Sequence, residues 1–328
     1  MLTVNVRPPL NNRSLLFGRP LRFYSCTANE ATGYGRLGVA CMEALNMVRV
    51  SAIDYPDFVL TNPMWPQESP IRFTMWEPDA LPDSAMGFKN AASLIVPCSM
   101  NVKLFRNSGY RGPIHLINLW GEAPWSPLPN DSILKFISVG RDNGINSRKG
   151  FGELMEWFTL AFPTESDVRL TIKSNPECDR REVKDDRIEI LYEDYSKERY
   201  EQMLSEHHCG VFLSGLEGWN FPAAELMAAG RPNIIIPWGG PADFTSKEDS
   251  WHLDYTLVQA PKEHPYFGVG RGAKPIKDSV IAAMREAYRN RDLLRKKASA
   301  SYQTSLRFTK QKFKERLRVV ALDVLSNV

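Results

Sequence analysis

No apolar run in this 328-residue chain approaches the ~20 residues that a bilayer-spanning helix needs, so no transmembrane segment is expected. The opening stretch MLTVNVRPPLNNRS has no apolar core, and no secretory signal is expected either. Cysteine is scarce. Cys26, Cys41, Cys98, Cys178 and Cys209 are scattered without a C-x-x-C pair, which excludes a disulfide or zinc framework and points to reduced thiols. There is no D-x-D for a divalent ion, and Glu206, His207 and His208 are adjacent rather than at ligand spacing. No metal site is therefore expected. Internal repeats of short period and low-complexity blocks are also missing. These absences suggest a cytoplasmic globular protein, with peripheral attachment to a membrane as the alternative.

What is there reads as α/β. Strand-like runs alternate with helix-like runs over most of the length, which points to parallel sheets. In the first half the strands are LRFYSCT, RVSAIDY, IRFTMW, ASLIVPC and IHLINLW, with a helix over GRLGVACMEAL. GEAPWSPLPNDS reads as a linker. A second set follows: LKFISVG, GFGELMEWFTLAF, VRLTIKS, IEILY, SKERYEQMLSEHH and CGVFLS. Phe313, Leu317, Val320, Ala321, Val324 and Val328 form a helical stripe that needs a surface to cover, most simply the other domain. The expected organisation is residues 1–130 and 131–300 as two domains, with 301–328 as a helix crossing back. Ligands of such sheets lie at the carboxyl ends of the strands, in a cleft.

Charge is unevenly spread. From Arg285 to Arg318 there are twelve Lys/Arg and three Asp/Glu, a net of +9, which leaves −6 in the rest of a chain totalling +3. This segment is either a solvated helix pair or a contact for an anionic surface such as nucleic acid or lipid headgroups. Arg295, Lys296 and Lys297 are expected to lie clear of the apolar stripe.

Two glycine clusters stand out. Gly33, Gly35 and Gly38 satisfy G-x-G-x-x-G, with Asp54 about twenty residues on, a nicotinamide-dinucleotide pattern. ANEAT separates this cluster from its strand. It reads as a helix start facing a phosphate-bearing ligand or as a flexible loop. In SVGRDNGINSRKGF, Arg141 follows a strand and Lys149 precedes a helix. Two cations so placed suit a diphosphate, and as solvated loop residues they would need no ligand.

Glu217 and Glu225 have seven residues between them in EGWNFPAAE. Such a pair could belong to a glycoside hydrolase, whose carboxyls lie ~5–9.5 Å apart. Pro222 suits the first helical turn, where Glu225 would be electrostatically favoured whatever its function. Glu217 sits in the loop beside Trp219, expected to be exposed, and has no such structural duty.

EGWNFPAAELMAAGRPNIII with GGPADF resembles the E-x7-E motif of retaining glycosyltransferases of GT-B fold, especially the large fourth sequence family. FISVGRDNGINSRKGF is similar to that family's phosphate-binding segment. The run from MWEPDALP to NLWGE is similar to its first domain, and TGYGRLG takes the place of its glycine loop. The resemblance spans about Thr32 to Phe244 in the right order.

It implies two Rossmann-like domains facing a central cleft, an N-terminal acceptor domain and a C-terminal nucleotide-sugar domain, with the last helix returning to the first. It implies that Arg141 and Lys149 bind the donor diphosphate, Glu217 faces the donor sugar, Asn220 and Phe221 offer backbone amides, and Glu225 holds the ribose. Gly35 would let the N-terminal loop approach the phosphate, and Glu77, Gly33 and Arg36 would lie on the acceptor side. Asn220 replaces the commoner glycine and is expected to lack its conformational freedom.

The expected reaction is metal-independent, retaining transfer of a sugar from a donor such as a UDP- or GDP-sugar to a hydroxyl of a glycan, lipid-linked sugar, small metabolite or modified DNA. The alternatives are a transferase acting on hydroxylated DNA bases, a non-catalytic nucleotide-sugar or glycan binder, and an NAD(P)-dependent oxidoreductase.

Overall fold

The computed structural model describes residues 21–25, 33–49, 56–65, 68–141, 148–178, 180–261 and 268–327. In chain order the first half contains β1 (Arg22–Ser25), α1 (Gly33–Leu45), β2 (Val48–Arg49), β3 (Phe58–Leu60), β4 (Ile71–Phe73), β5 (Ser93–Val96), α2 (Ser99–Asn107) and β6 (Ile114–Leu116). The second contains β7 (Leu134–Val139), α3 (Phe151–Ala161), β8 (Val168–Ser174), β9 (Ile188–Tyr192), α4 (Lys197–Ser205), β10 (Cys209–Phe212), α5 (Phe221–Ala228), β11 (Asn233–Ile235), α6 (Pro241–Phe244) and β12 (Trp251–His252). A hairpin of β13 (Tyr255–Gln259) and β14 (Arg271–Pro275) precedes α7 (Lys277–Arg289), α8 (Arg291–Ser305) and α9 (Lys310–Ser326).

The strands form two six-stranded parallel sheets, ordered β2-β1-β3-β4-β5-β6 and β12-β11-β10-β7-β8-β9. Strands such as Ser93–Val96 and Cys209–Phe212 are buried on both faces, as helices covering both sides of a parallel sheet require. In each sheet the winding direction reverses once. The reversals fall between β1 and β3 and between β7 and β10. The loops leaving these neighbours diverge and open a crevice at the carboxyl ends.

One apolar core runs through both halves. Phe23, Leu37 and Phe73 of the first sheet share it with Phe212, Phe221 and Ile235 of the second. Trp120 stacks edge-on to Phe221 at 5.2 Å and lies 4.8 Å from Phe313 of α9. Helix α9 therefore crosses back onto the first sheet. Phe313, Leu317, Ala321 and Val324 are buried and Val320 is partly buried; Val328, the last of the expected stripe, lies outside the described residues. Trp219, expected to be exposed, is buried against Phe244 and Phe308 and donates its indole N–H to the Trp120 carbonyl at 3.1 Å.

The basic segment is largely consumed by packing. Lys310 and Lys314 pair with Glu43 of α1 at 3.3 and 2.6 Å, and Arg318 donates to the Ala44 carbonyl. Lys297 does not lie clear of the core. It is buried, over the Trp251 ring, and donates to the carbonyls of Lys247 and Ser250. Its position on α8 faces α5 and the β11–β12 end rather than solvent, because α8 packs by its own apolar face on α5. Among the described residues, no helix is long and apolar enough to cross a membrane. Cys41, Cys98, Cys178 and Cys209 are free and buried; Cys26 lies outside the described residues.

The linker is pinned by a single guanidinium. Arg231, fully buried, donates to the carbonyls of Ser126, Pro127, Ser205, His207 and Ala229 and meets no carboxylate. Burial pushes its pKa down to about 10. These bonds close the carboxyl ends of α4 and α5 and fasten the linker to both. Replacing Arg231 by Met leaves several buried carbonyls without a donor, at about 1–3 kcal/mol each before relaxation. Urea unfolding of Arg231→Met is expected to show a loss of at least ~3 kcal/mol, with Arg231→Lys in between. An unchanged midpoint would mean that other contacts hold the linker.

Candidate active site

The reversal of the second sheet sets the site. Chain leaving β7 passes Gly140 and Arg141 and returns at Arg148 and Lys149 to start α3. Chain leaving β10 runs through Ser214 to Glu217 and starts α5. These two loops meet. Lys149 Nζ lies 2.5 Å from Glu217 Oε1, and Arg148 Nη1 lies 3.2 Å from the same oxygen. Glycine is required at 140, where a Cβ would sit 3.1 Å from the Lys149 stem. It is also required at 150, where φ is +68° at the start of α3.

The first half supplies a second carboxylate. Met75 packs so closely on Gly218 that a Cβ there would be 2.6 Å from its sulfur. This brings Glu77 within 3.3 Å of Arg148 Nη2. Arg148 thus bridges Glu77 and Glu217 across the junction and also donates to the Leu216 carbonyl. Burial alone would raise the pKa of Glu217, but Lys149 and then Arg148 overcome it and hold the carboxyl at about 2. For Glu77 burial wins. Arg148 offsets it only in part, the Glu217 charge adds to it, and its pKa is raised. The Lys149 ammonium is pushed down by burial despite Glu217. Two neighbouring carboxyls driven in opposite directions are a recurring property of reacting sites.

A second node lies on the same crevice. Glu225, on α5, is buried and accepts from Arg36 of α1 and from the Tyr200 hydroxyl of α4 at 2.9 Å. Burial raises the Glu225 pKa against the pull of Arg36. The Arg36 guanidinium also stands 4.6 Å over the Phe221 ring. Both glutamates of the E-x7-E pair are therefore held by cations, and each node joins the two halves of the chain.

Asn220 adopts φ +81° at the residue before α5, a conformation usually reserved for glycine. The expectation that it lacks glycine's freedom is thus overturned. Its Oδ1 accepts from the Ala223 N–H at 3.2 Å, a cap that glycine could not make. The asparagine side chain offsets part of the strain that its Cβ introduces.

Of the expected site residues, Lys149, Glu217, Asn220, Phe221, Glu225, Glu77 and Arg36 converge on this crevice. Arg36 meets the donor-side glutamate rather than an acceptor-side group. Arg141 is paired with Glu177 at 2.7 Å on the exposed surface, where Glu217 does not reach it. Gly33 and Gly35 lie in the first turn of α1 itself, not in a loop before it. Gly38 gives α1 close contact with Phe23 and Leu60 of the strands. Asp54 lies outside the described residues. Sequence reasoning missed Arg148 and Tyr200. Arg148 immediately precedes the lysine singled out, and its signal was the doubled charge before Gly150. Tyr200 carries no local signal, since only the fold brings α4 to α5. Among the described residues, no three His, Cys, Asp or Glu side chains are grouped as metal ligands.

No family model and no curated protein sequence matches the chain. Solved structures do. The lipopolysaccharide outer core galactosyltransferase WaaB is 13% identical with a TM-score of 0.65, over 94% of this chain and 100% of its own. The sucrose-phosphate synthase of Thermosynechococcus elongatus is 14% identical with a TM-score of 0.61, over 83% of this chain and 75% of its own. S. aureus TarM, solved with fondaparinux, α-GlcNAc-glycerol and UDP, is 12% identical with a TM-score of 0.57, over 88% of this chain and 58% of its own. At such identities the likeness shows the fold, and the fold is GT-B.

The strained cap is open to a stability test. Asn220→Ala keeps the Cβ and loses the capping oxygen, and is expected to destabilise by about 1–2 kcal/mol. Asn220→Gly relieves the strain as it loses the cap, and is expected to cost only a few tenths. Equal losses in denaturant unfolding would remove backbone strain from the account.

Proposed function

We propose that the protein transfers a sugar from a nucleoside-diphosphate sugar to an acceptor hydroxyl. The observation that carries this reading is the Lys149–Glu217–Arg148–Glu77 cluster at the reversal point of the second sheet. Its charges balance without a ligand, two cations against two carboxylates. A diphosphate entering the crevice would compete for the cations. As Lys149 and Arg148 turn to the phosphate oxygens, Glu217 becomes free to accept hydrogen bonds from sugar hydroxyls. The UDP bound in the structure of TarM, whose fold this chain resembles, supports the choice of donor.

In the reaction, the bond from the anomeric carbon to the diphosphate oxygen breaks and a bond to the acceptor oxygen forms. Negative charge grows on the diphosphate and positive character on the sugar. Fixed cations aimed at the leaving oxygen can supply ~3–4 kcal/mol apiece, judging from the loss of single charge-stabilising donors. Glu225 would hold the ribose hydroxyls, with Tyr200 orienting the carboxylate and Arg36 yielding one of its oxygens. The Asn220 and Phe221 segment would offer backbone amides to the sugar or phosphate, and Arg141 would reach the diphosphate only by leaving Glu177. Glu77, the carboxyl with the raised affinity for a proton, faces the junction from the acceptor half and is the group placed to take the acceptor proton. Retention of configuration and independence of metal complete the proposal, the latter because Lys149 and Arg148 would occupy the role a divalent ion fills elsewhere.

Thermal shift with UDP-, GDP- and ADP-sugars against NAD(P)H tests the donor class directly. Stabilisation by a nucleotide-sugar and not by NAD(P)H is expected. With the donor identified, Lys149→Ala is expected to lower kcat/KM by at least ~10²-fold. Glu217→Gln should act mainly on kcat and Glu225→Gln mainly on donor binding, because a ribose contact is uniform between ground and transition states. Activity is expected to survive EDTA. Wild-type kinetics in both Lys149→Ala and Glu217→Gln would overturn the reading.

A further inference from the structure

A cavity of about 310 Å³ lies between the β13–β14 hairpin, the first turns of α3 and the loop after β10. It belongs to neither carboxylate node. Its size is at the lower end of small-molecule pockets. The roof is fixed at both edges. The Ala273 N–H donates to the Gly215 carbonyl at 3.1 Å, and Arg271 pairs with Asp79 of the first half at 2.8 Å. The cavity is thus a built feature of the hairpin.

We propose that this cavity is a saccharide-binding subsite, distinct from the donor site and joined to it through Arg148. The lining carries the argument. Trp157 contributes an aromatic ring and Leu216 an apolar wall. Lys274 and Gln259 supply donors, and Glu153 supplies an acceptor of opposite charge. Lys274 and Glu153 make no ion pair among the described residues.

An anionic ligand would meet the Glu153 carboxylate, and a purely apolar one would strip water from both charges without replacing it. A sugar satisfies all three. Its hydroxyls both donate and accept, and its C–H face suits an aromatic ring. Arg148 lines the cavity on one side and bonds to Glu77 and Glu217 on the other. A sugar seated there would touch the cation that joins the two halves of the candidate site. The choice of a saccharide rests in part on the glycosyl-transfer reading, since the natural occupant would then be a further unit of the acceptor.

The test uses the full chain, with maltose and lactose as neutral probes at millimolar concentration and UDP present to occupy the donor site. Saturation-transfer NMR reads sugar binding, and calorimetry reads UDP binding. Wild-type protein is expected to give ring-proton signals for at least one disaccharide. Val258→Trp places an indole in the cavity from a half-exposed hairpin position and should weaken binding at least ~5-fold, about 1 kcal/mol. The surface double variant Gln259→Ala/Lys274→Ala should do the same, and it decides alone if Val258→Trp fails to fold. UDP affinity should be unchanged in both. Absence of any sugar signal in the wild type, or undiminished signal in the folded variants, would overturn the subsite. If UDP does not bind the wild type while sugar binding is present and cavity-dependent, the donor reading fails and the subsite stands.

Discussion

Two carboxylates buried where the halves of a chain meet cannot remain without partners. An ionised carboxyl out of water costs several kcal/mol unless cations and hydrogen bonds replace its hydration. Glu217 and Glu225 are both in this position. One draws Lys149 and Arg148 from the loop beneath it, and the other draws Arg36 from the first sheet's helix and Tyr200 from α4. Through Arg148 the first pair also binds Glu77. The electrostatic need of two side chains thus fixes the relation of four elements and draws the edges of the crevice together. The aromatic core of Trp120, Trp219, Phe221 and Phe313 holds the same junction from behind. It supplies the non-directional part of the attraction, and the ion pairs supply the register.

The sheets explain why these residues can meet. Reversal of winding between β7 and β10 parts the chains leaving those strands, and both return to start helices over the same gap. One loop carries cations, the other carboxylates. Glycine is used only where backbone or a side-chain stem must pass closely, as at Gly140 and Gly218. At Asn220 the chain accepts a strained backbone and recovers part of the cost through a capping bond.

Much of this was legible in the sequence, for identifiable reasons. VRLTIKS and IEILY are strands over their whole length because β-branched and apolar residues run without a turn signal. The α9 stripe was legible because its period is helical. Short elements were not. β3 has three residues, and α2 begins in a segment without a side-chain cap. The hairpin, with charged and glycine-rich strands, carries no alternation. At the site, residues with a fixed spacing in one segment were legible. Those whose role depends on another element were not: Tyr200 meets Glu225 only through the packing of α4 on α5, and Lys297 is buried only because carbonyls from the β11–β12 connection reach it. Arg141 shows the opposite case, a residue placed at a strand end whose side chain turns to Glu177.

The account depends on Lys149 and Arg148 serving Glu217 only until a diphosphate arrives. A crystal structure of the chain with a bound nucleoside diphosphate examines that exchange directly. The account predicts diphosphate oxygens within about 3 Å of Lys149 Nζ and of the Arg148 guanidinium. Lys149 should then have moved off the Glu217 oxygen that it contacts at 2.5 Å. A diphosphate seated elsewhere, with the Lys149–Glu217 pair intact, would contradict it.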